Sequence, residues 1–147
     1  MKYFLIISTL LLTACASQNS LNQSTKASDI MRIIELAEEY SPKGVEGSFI
    51  FPIQATGSHG DVFLNSQLDY RDRRNLTVAI NEETSKKLSE IYSSPPDIYF
   101  LNKTIKVTGA AHRAKIWFYP NGKKSDEYYF QTRIYVTSPD QIEVIEQ

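Results

Sequence analysis

The chain contains little sulfur and little imidazole. Among its 147 residues there are one cysteine, Cys15, and two histidines, His59 and His112. A single cysteine excludes a disulfide framework and a thiolate cage for a metal. Neither histidine has a second imidazole or a carboxylate at the spacing of metal ligands. The sequence therefore predicts no metal site and no cofactor.

The chain also has little net charge and no long apolar run. Sixteen Lys and Arg residues face seventeen Asp and Glu residues, which gives a net charge of −1. Proteins that bind polyanions are usually basic overall, so this balance argues against a general polyanion binder. Spanning a bilayer takes about 20 apolar residues, and no run reaches that length. A chain of this size suits one domain with one core.

The amino terminus has the pattern of an export signal. Lys2 precedes an apolar run that ends at Leu12, and small residues follow. This pattern is typical of a secretory signal peptide. The residues Leu12-Thr13-Ala14-Cys15 resemble the lipobox of bacterial lipoproteins. The resemblance implies cleavage between Ala14 and Cys15 and diacylation of the Cys15 sulfur, which would anchor the chain to the membrane. The alternative is ordinary secretion after cleavage at Ala14, with a free thiol at Cys15.

The residue after the lipobox-like motif, Ala16, indicates which of the two membranes would hold the protein. In lipoproteins of this type from Gram-negative bacteria, an Asp at that position often signals retention at the inner membrane. Ala16 therefore favours the outer membrane, with the domain facing the periplasm. We interpret residues 15–27 as the lipidated cysteine and a flexible tether rich in Ser, Asn, Gln and Thr, spanning about 20 Å. Residues 28–147 then form one domain.

The domain begins with a helix and continues with strands. A helix is predicted at 28–40, where Ser28 or Asp29 can cap an apolar stripe at helical spacing. From residue 47 the apolar spacing changes to alternation. This pattern predicts strands at 47–56, 61–65, 76–80, 105–118 and 128–137, with a short closing segment at 142–144. A second helix is predicted at 82–93 with Asn81 as its cap, turns at 57–60 and 120–122, and a polar loop at 66–75.

The order of three strands, a helix and two strands resembles the OB-fold, a five-stranded Greek-key barrel. Four phrases carry the resemblance: Val62-Phe63-Leu64-Asn65, Leu76-Thr77-Val78-Ala79-Ile80, Ile105-Lys106-Val107-Thr108-Gly109 and Ser138-Pro139-Asp140-Gln141-Ile142-Glu143-Val144. It implies a mainly β domain, with the helix between strands three and four and a ligand face on strands two and three. The alternatives are another small, curved barrel or an α+β roll.

Aromatic and basic residues near that face are the candidate binding residues. They lie in the polar loop and along the fourth strand: Tyr70, Arg71, Arg73, Arg74, Lys115, Trp117 and Tyr119. Aromatic rings interleaved with cations suit bases, sugars or peptides. The other interpretation of Trp117 is that it covers an open end of the core, and the sequence leaves both open. On the fifth strand, the alternation predicts that Tyr128 and Phe130 face inward.

Two catalytic interpretations are weaker. Ser58, His59 and Asp61 have the residue types of a serine hydrolase, but neighbours in a tight turn point in different directions, and no nucleophile-elbow motif occurs. Asp69 and Asp72, with the arginines of the same loop, could hold a cation and a phosphate in a nuclease. These residues crowd one loop, so we interpret them as a solvated, self-paired cluster.

The sequence therefore predicts a non-enzymatic, membrane-anchored envelope lipoprotein whose OB-like domain binds a peptide, a glycan or another envelope protein. The OB-like order alone would suggest nucleic acid, but a fold does not imply a function, and an envelope location argues against that ligand. Two alternatives stay open. One is a nucleic-acid-binding or nuclease-like protein outside the cytoplasm, and the other is a structural subunit of an envelope complex.

Overall fold

The structure is a computed structural model that describes residues 30–145. The signal peptide, Cys15 with Ala16 and the tether, and the candidate caps Ser28 and Asp29 lie outside the described residues. Those predictions are therefore not tested by the fold. Within 30–145, no helix is long and apolar enough to cross a membrane.

The described part of the chain is mainly β, as predicted. Its strands are β1 (Val45–Pro52), β2 (Ala55–His59), β3 (Asp61–Asn65), β4 (Leu76–Ile80), β5 (Thr104–Trp117), β6 (Tyr128–Val136) and β7 (Ile142–Val144). Its helices are α1 (Ile30–Glu39), α2 (Glu82–Tyr92) and the short α3 (Pro96–Tyr99), which the sequence did not predict. The Asn81 side chain caps α2 by accepting a hydrogen bond from the Thr84 N–H at 2.8 Å, as predicted.

The strands form one mixed sheet in the order β1-β5-β6-β4-β3-β2, with β7 beside β5. β4 and β6 run parallel, and the other neighbours run antiparallel. The sheet is open, because β1 and β2 stand at its two ends and are not hydrogen-bonded to each other, so the prediction of a closed barrel was wrong. Five strands were predicted and seven are described. One predicted strand is divided into β1 and β2, and the predicted closing segment pairs with β5 as the strand β7.

The divided strand is the predicted 47–56, which breaks at Ile53 and Gln54. The Ile53 N–H donates to the Lys103 carbonyl at 2.9 Å, whereas the Gln54 N–H donates to the Asn65 carbonyl at 2.8 Å. The chain therefore changes partners here, from β5 to β3. The next prediction, a turn at 57–60, was too wide, because Gly57 to His59 pair with β3 and only Gly60, with φ +78°, makes the turn.

One hydrophobic core joins both ends of this sheet. Its fully buried side chains come from β1, from β3 to β7 and from both long helices, among them Phe51, Leu64, Val78, Leu88, Ile105 and Ile134. Because β1 and β3 lie near opposite ends of the strand order yet share this core, the sheet is strongly curved. β4 is buried along its whole length, as expected for a strand covered on both faces.

The β5–β6 hairpin extends past the core. Ile134 and Val136 are buried, as predicted, but Tyr128 and Phe130 on the same face of β6 are 46% and 44% exposed. The prediction that these two aromatic rings face the core was therefore wrong. Their alternation was predicted correctly, but the strand continues beyond the region that the core covers.

Candidate functional site

Two depressions lie on the sides of the 66–75 loop. The first, which we call the strand cleft, has a volume of about 320 Å³ and lies over β2, β3, β4 and β6. The second, which we call the helix cleft, has a volume of about 440 Å³ and lies between α1, the loop and the β5–β6 hairpin. The volume of the strand cleft falls at the lower end of the range of about 300–1,000 Å³ that is common for ligand pockets.

The strand cleft is assembled by the register of four strands. Gly57 of β2 pairs with Phe63 of β3, and Asn65 of β3 pairs with Thr77 of β4. Thr77 in turn pairs with Arg133 of β6. Residues paired in register have side chains on the same face of a sheet. The sheet therefore gathers these side chains, distant in sequence, onto one outer face.

The loop beside this face is held in place by buried polar groups. The Asn75 side-chain amide donates to Oδ1 of Asn65 at 3.0 Å and to Oγ1 of Thr77 at 2.9 Å. The carbonyl of Tyr70 accepts hydrogen bonds from Nδ2 of Asn75 at 3.2 Å and from Nε2 of Gln131 at 2.8 Å. These bonds fix the backbone of Tyr70 at the rim of the strand cleft.

Arg133 is the cation in the strand cleft. Its Nε donates to Oε1 of Gln131 at 2.6 Å, and its guanidinium carbon lies 5.0 Å from the centre of the Phe63 ring. The side chain is half-buried, and none of the ion pairs within residues 30–145 includes it. A guanidinium without a carboxylate partner can pair with an anionic group of a ligand through two parallel N–H donors.

Two tyrosines, Tyr70 and Tyr129, also line the strand cleft. The rings of Tyr70 and Tyr129 are 6.4 Å apart between centres, and the Phe118 ring lies 5.3 Å from Tyr129. Burial, with a smaller effect of Tyr70, raises the pKa of the Tyr129 phenol. The Tyr129 phenol therefore stays protonated at neutral pH and can donate a hydrogen bond to a ligand.

The arginines of the loop differ from Arg133 because two of them are already paired. Nε of Arg71 lies 3.3 Å from Asp69, and Nη2 of Arg74 lies 2.7 Å from Asp72. Hydrogen bonds from the backbone and side chain of Arg71 lower the pKa of Asp69, and those from the side chain and backbone of Arg74 lower the pKa of Asp72 to about 2. Of the loop arginines, only Arg73 has no ion-pair partner in the described part of the chain.

The candidate binding residues are thus divided among separate places. Tyr70 lines the strand cleft, Arg71 and Arg73 line the helix cleft, and Arg74 lines neither. Lys115, Trp117 and Tyr119 lie toward the far end of the β5–β6 hairpin and line neither cleft. The two aspartates of the loop do not converge with other ligands, since no group of three His, Cys, Asp or Glu within 30–145 could hold a metal ion.

Sequence reasoning missed most of the strand cleft, namely Phe63, Leu68, Gln131 and the role of Arg133. One signal pointed to Phe63, because Val62, Phe63 and Leu64 are three successive apolar residues in one strand. Successive side chains of a strand point to opposite faces, so one of the three has to face away from the core. Ser58 and His59 are successive residues of β2, so by the same rule their side chains point to opposite faces and do not form the nucleophile and base of a hydrolase.

Comparison with known proteins adds little. No family model matches the chain, and no curated protein matches it. One solved structure, an aspartyl-tRNA synthetase from Entamoeba histolytica, is similar over 74% of this chain with 20% identity and a TM-score of 0.43. The similar region is 20% of that synthetase chain, so this chain spans about a fifth of its length.

Proposed function

We propose that this chain is a lipid-anchored envelope protein whose OB-like domain binds a carboxylate-bearing peptide or glycan in the strand cleft, without catalysis. The observation that carries the proposal is Arg133, a half-buried guanidinium with no carboxylate partner within residues 30–145, held between an aromatic ring and a glutamine. An unpaired cation that is partly removed from water favours an anionic partner.

The OB-like part of the proposal depends on how β1 and β2 are counted. Only Ile53 and Gln54 separate them, so we treat the two as the halves of one bent strand. The order is then three strands, a helix and two strands, followed by the short β7. Under that count, the strand cleft lies on the face of strands two and three, where OB-folds bind their ligands.

The walls of the cleft suggest the shape of the ligand. Arg133 would pair with its carboxylate, and the rings of Phe63, Tyr70 and Tyr129 would pack on a sugar ring or an apolar side chain. A volume of about 320 Å³ suits one or two residues of a peptide or glycan. The remainder of a longer ligand would extend along the exposed residues of β2.

Calorimetric titration tests this proposal. The ligands are muropeptides, a short peptide with a free carboxyl terminus, the same peptide amidated, and single-stranded DNA. We expect binding of a carboxylate ligand that weakens about tenfold or more in Arg133→Gln, which loses a charged hydrogen-bond pair. Arg74→Gln is the matched control, because it removes a cation of the loop that lines neither cleft.

Three results would count against the proposal. Equal affinity of the free and amidated peptides would show that the carboxylate does not contribute to binding. Equal affinity of Arg133→Gln and the parent protein for the ligand would show that the ligand does not bind at Arg133 in the strand cleft. Tight, salt-sensitive binding of DNA alone would favour the nucleic-acid alternative.

The anchor is tested separately in the full chain with Cys15→Ala. We expect that labelled fatty acid is incorporated into the parent protein and not into the variant. Equal labelling of the two proteins would contradict lipidation of Cys15.

A further inference from the structure

The end of the β5–β6 hairpin carries a second surface with its own chemistry. We call it the hairpin patch and define it as Lys115, Trp117, Lys124, Tyr128 and Phe130. Lys115 pairs with Phe130, and Trp117 pairs with Tyr128, so these four side chains share one face. The Trp117 and Tyr128 ring centres are 5.2 Å apart, and those of Tyr128 and Phe130 are 5.5 Å apart.

The cations of the patch lie on its aromatic rings. The ammonium of Lys115 is 3.8 Å from the centre of the Tyr128 ring, and that of Lys124 is 3.9 Å from the centre of the Trp117 ring. Neither lysine, nor Lys123 beside them, belongs to an ion pair within residues 30–145. Residues 115–130 contain three basic and two acidic side chains, a net charge of +1 in a chain of net charge −1, and the adjoining Arg113 is paired with Glu38.

We propose that the hairpin patch docks on an anionic phospholipid surface, as a membrane contact separate from any lipid on Cys15. Trp and Tyr rings favour the interface between headgroups and acyl chains, and lysines beside them attract anionic headgroups. Tyr119, which is 59% exposed at the hairpin tip, would enter the same layer. The hairpin extends past the core, which leaves Tyr119, Tyr128 and Phe130 exposed to such a surface.

The same geometry argues against a nucleic-acid occupant. Binding of single-stranded nucleic acid uses free ring faces on which bases stack. Here ammonium groups already lie over Trp117 and Tyr128, so a base would have to displace them. A lipid headgroup, by contrast, pairs with the ammonium groups without removing them from the rings.

Trp117 is the only tryptophan of the chain, so the tryptophan fluorescence of the protein reports binding at the hairpin patch. The protein for the test starts at residue 15 and carries Cys15→Ser, because the apolar segment before it would itself bind vesicles. All members of the described core lie between Ile33 and Ile142, so this change leaves that core complete. The protein is titrated with vesicles of phosphatidylglycerol and phosphatidylcholine, with vesicles of phosphatidylcholine alone, and with single-stranded DNA.

We expect the Trp117 emission to shift to the blue with the anionic vesicles, and to be quenched by acyl chains brominated near the headgroup. Lys115→Glu with Lys124→Glu should weaken vesicle binding at least tenfold, since each basic group near an anionic surface contributes roughly fivefold. The matched control is Lys86→Glu with Lys87→Glu, which changes the charge of α2 by the same amount. If the first variant proves unfolded by circular dichroism, Lys115→Gln with Lys124→Gln replaces it, with a smaller loss expected.

The proposal fails if anionic vesicles leave the Trp117 emission unchanged, if the control weakens binding equally, or if DNA alone shifts the emission. Arg133→Gln separates this proposal from the previous one. It should leave vesicle binding unchanged while weakening carboxylate binding about tenfold or more, and the lysine variants should weaken vesicle binding while leaving carboxylate binding unchanged.

Discussion

The side-chain amide of Asn75 donates a hydrogen bond of 3.0 Å to the side-chain oxygen of Asn65, and both residues are buried. This bond joins the end of the polar loop to β3. The same amide also donates to Thr77 and to the carbonyl of Tyr70, so a single side chain fixes the loop that borders the strand cleft.

We predict that Asn75→Ala destabilises the domain by about 3 kcal/mol, because buried acceptors lose their donor and a small cavity forms. Urea unfolding followed by circular dichroism measures the change. Glu90→Ala on the exposed side of α2 is the control and should stay within about 0.5 kcal/mol of the parent. Equal midpoints for Asn75→Ala and the control would contradict the structural role of the amide.

Two glycines with positive φ allow the cost of backbone strain to be measured separately from the cost of steric overlap. Gly44 has φ +75°, and a Cβ there would lie 2.6 Å from the Ala111 carbonyl oxygen, whereas Gly60 has φ +78° and open space around it. Gly60→Ala should therefore cost about 1 kcal/mol from backbone strain alone. Gly44→Ala should cost about 3 kcal/mol or more, because overlap with backbone is added. Thermal unfolding of both variants measures the difference, and a smaller loss at Gly44 would be inconsistent with this packing.

The pairing of Asp72 with Arg74 predicts a dependence on pH. Hydrogen bonds from the Arg74 side chain and backbone lower the pKa of Asp72 to about 2. Because the folded pKa lies below the unfolded one, this pair stabilises the fold above about pH 4 and loses its effect as the pH falls through about 2. In Arg74→Gln the pKa should rise but stay below its ordinary value, since the backbone N–H still donates. Carbon-detected NMR titration of the Asp72 carboxyl measures the pKa.

The control for this titration is Arg73→Gln, which removes the neighbouring arginine that has no ion-pair partner among residues 30–145. It should leave the Asp72 pKa where it is. An equal rise in both variants would show that the general charge of the loop, and not the bonded Arg74, sets the pKa.

The cap of α2 offers a fourth test. Asn81 accepts a hydrogen bond from the Thr84 N–H, so Asn81→Ala should destabilise the domain by about 1 kcal/mol. Asn81→Ser keeps an acceptor at the same position and should recover most of that stability. Chemical denaturation of the two variants and the parent measures their free energies of unfolding. If Asn81→Ser is no more stable than Asn81→Ala, the loss comes from packing and not from the cap.

Local patterns predicted much of the fold. β4 was predicted with its observed bounds because a short apolar segment rich in β-branched residues stands between a polar loop and a capping Asn81. The bounds of α2 followed from that cap and from the prolines after it. The division of the first strand at Ile53 was not predictable, because it results from a change of pairing partner between segments far apart in the chain.

The candidate site was harder to predict for the same reason. The sequence singled out Arg71 and Arg74 because they cluster, yet these two are neutralised by Asp69 and Asp72 within the same loop. Arg133 is the only charged residue of β6, and the cleft that it lines forms only when β4 and β6 are placed side by side, with no carboxylate within residues 30–145 paired to it. In the polar loop, clustering along the sequence reflects local pairing rather than availability for a ligand.

The pairing of β1 with β5 also determines when this domain can fold. Val45 pairs with Ala111, and Leu76 of β4 pairs with Thr132 of β6. β2, β3 and β4 pair locally, but β1 gains its partner only with β5, and β4 gains its second neighbour only with β6; non-local pairing of this kind is slow to form. We therefore expect the complete sheet, with β1 and β4 in their final places, to form only after β6 has left the ribosome.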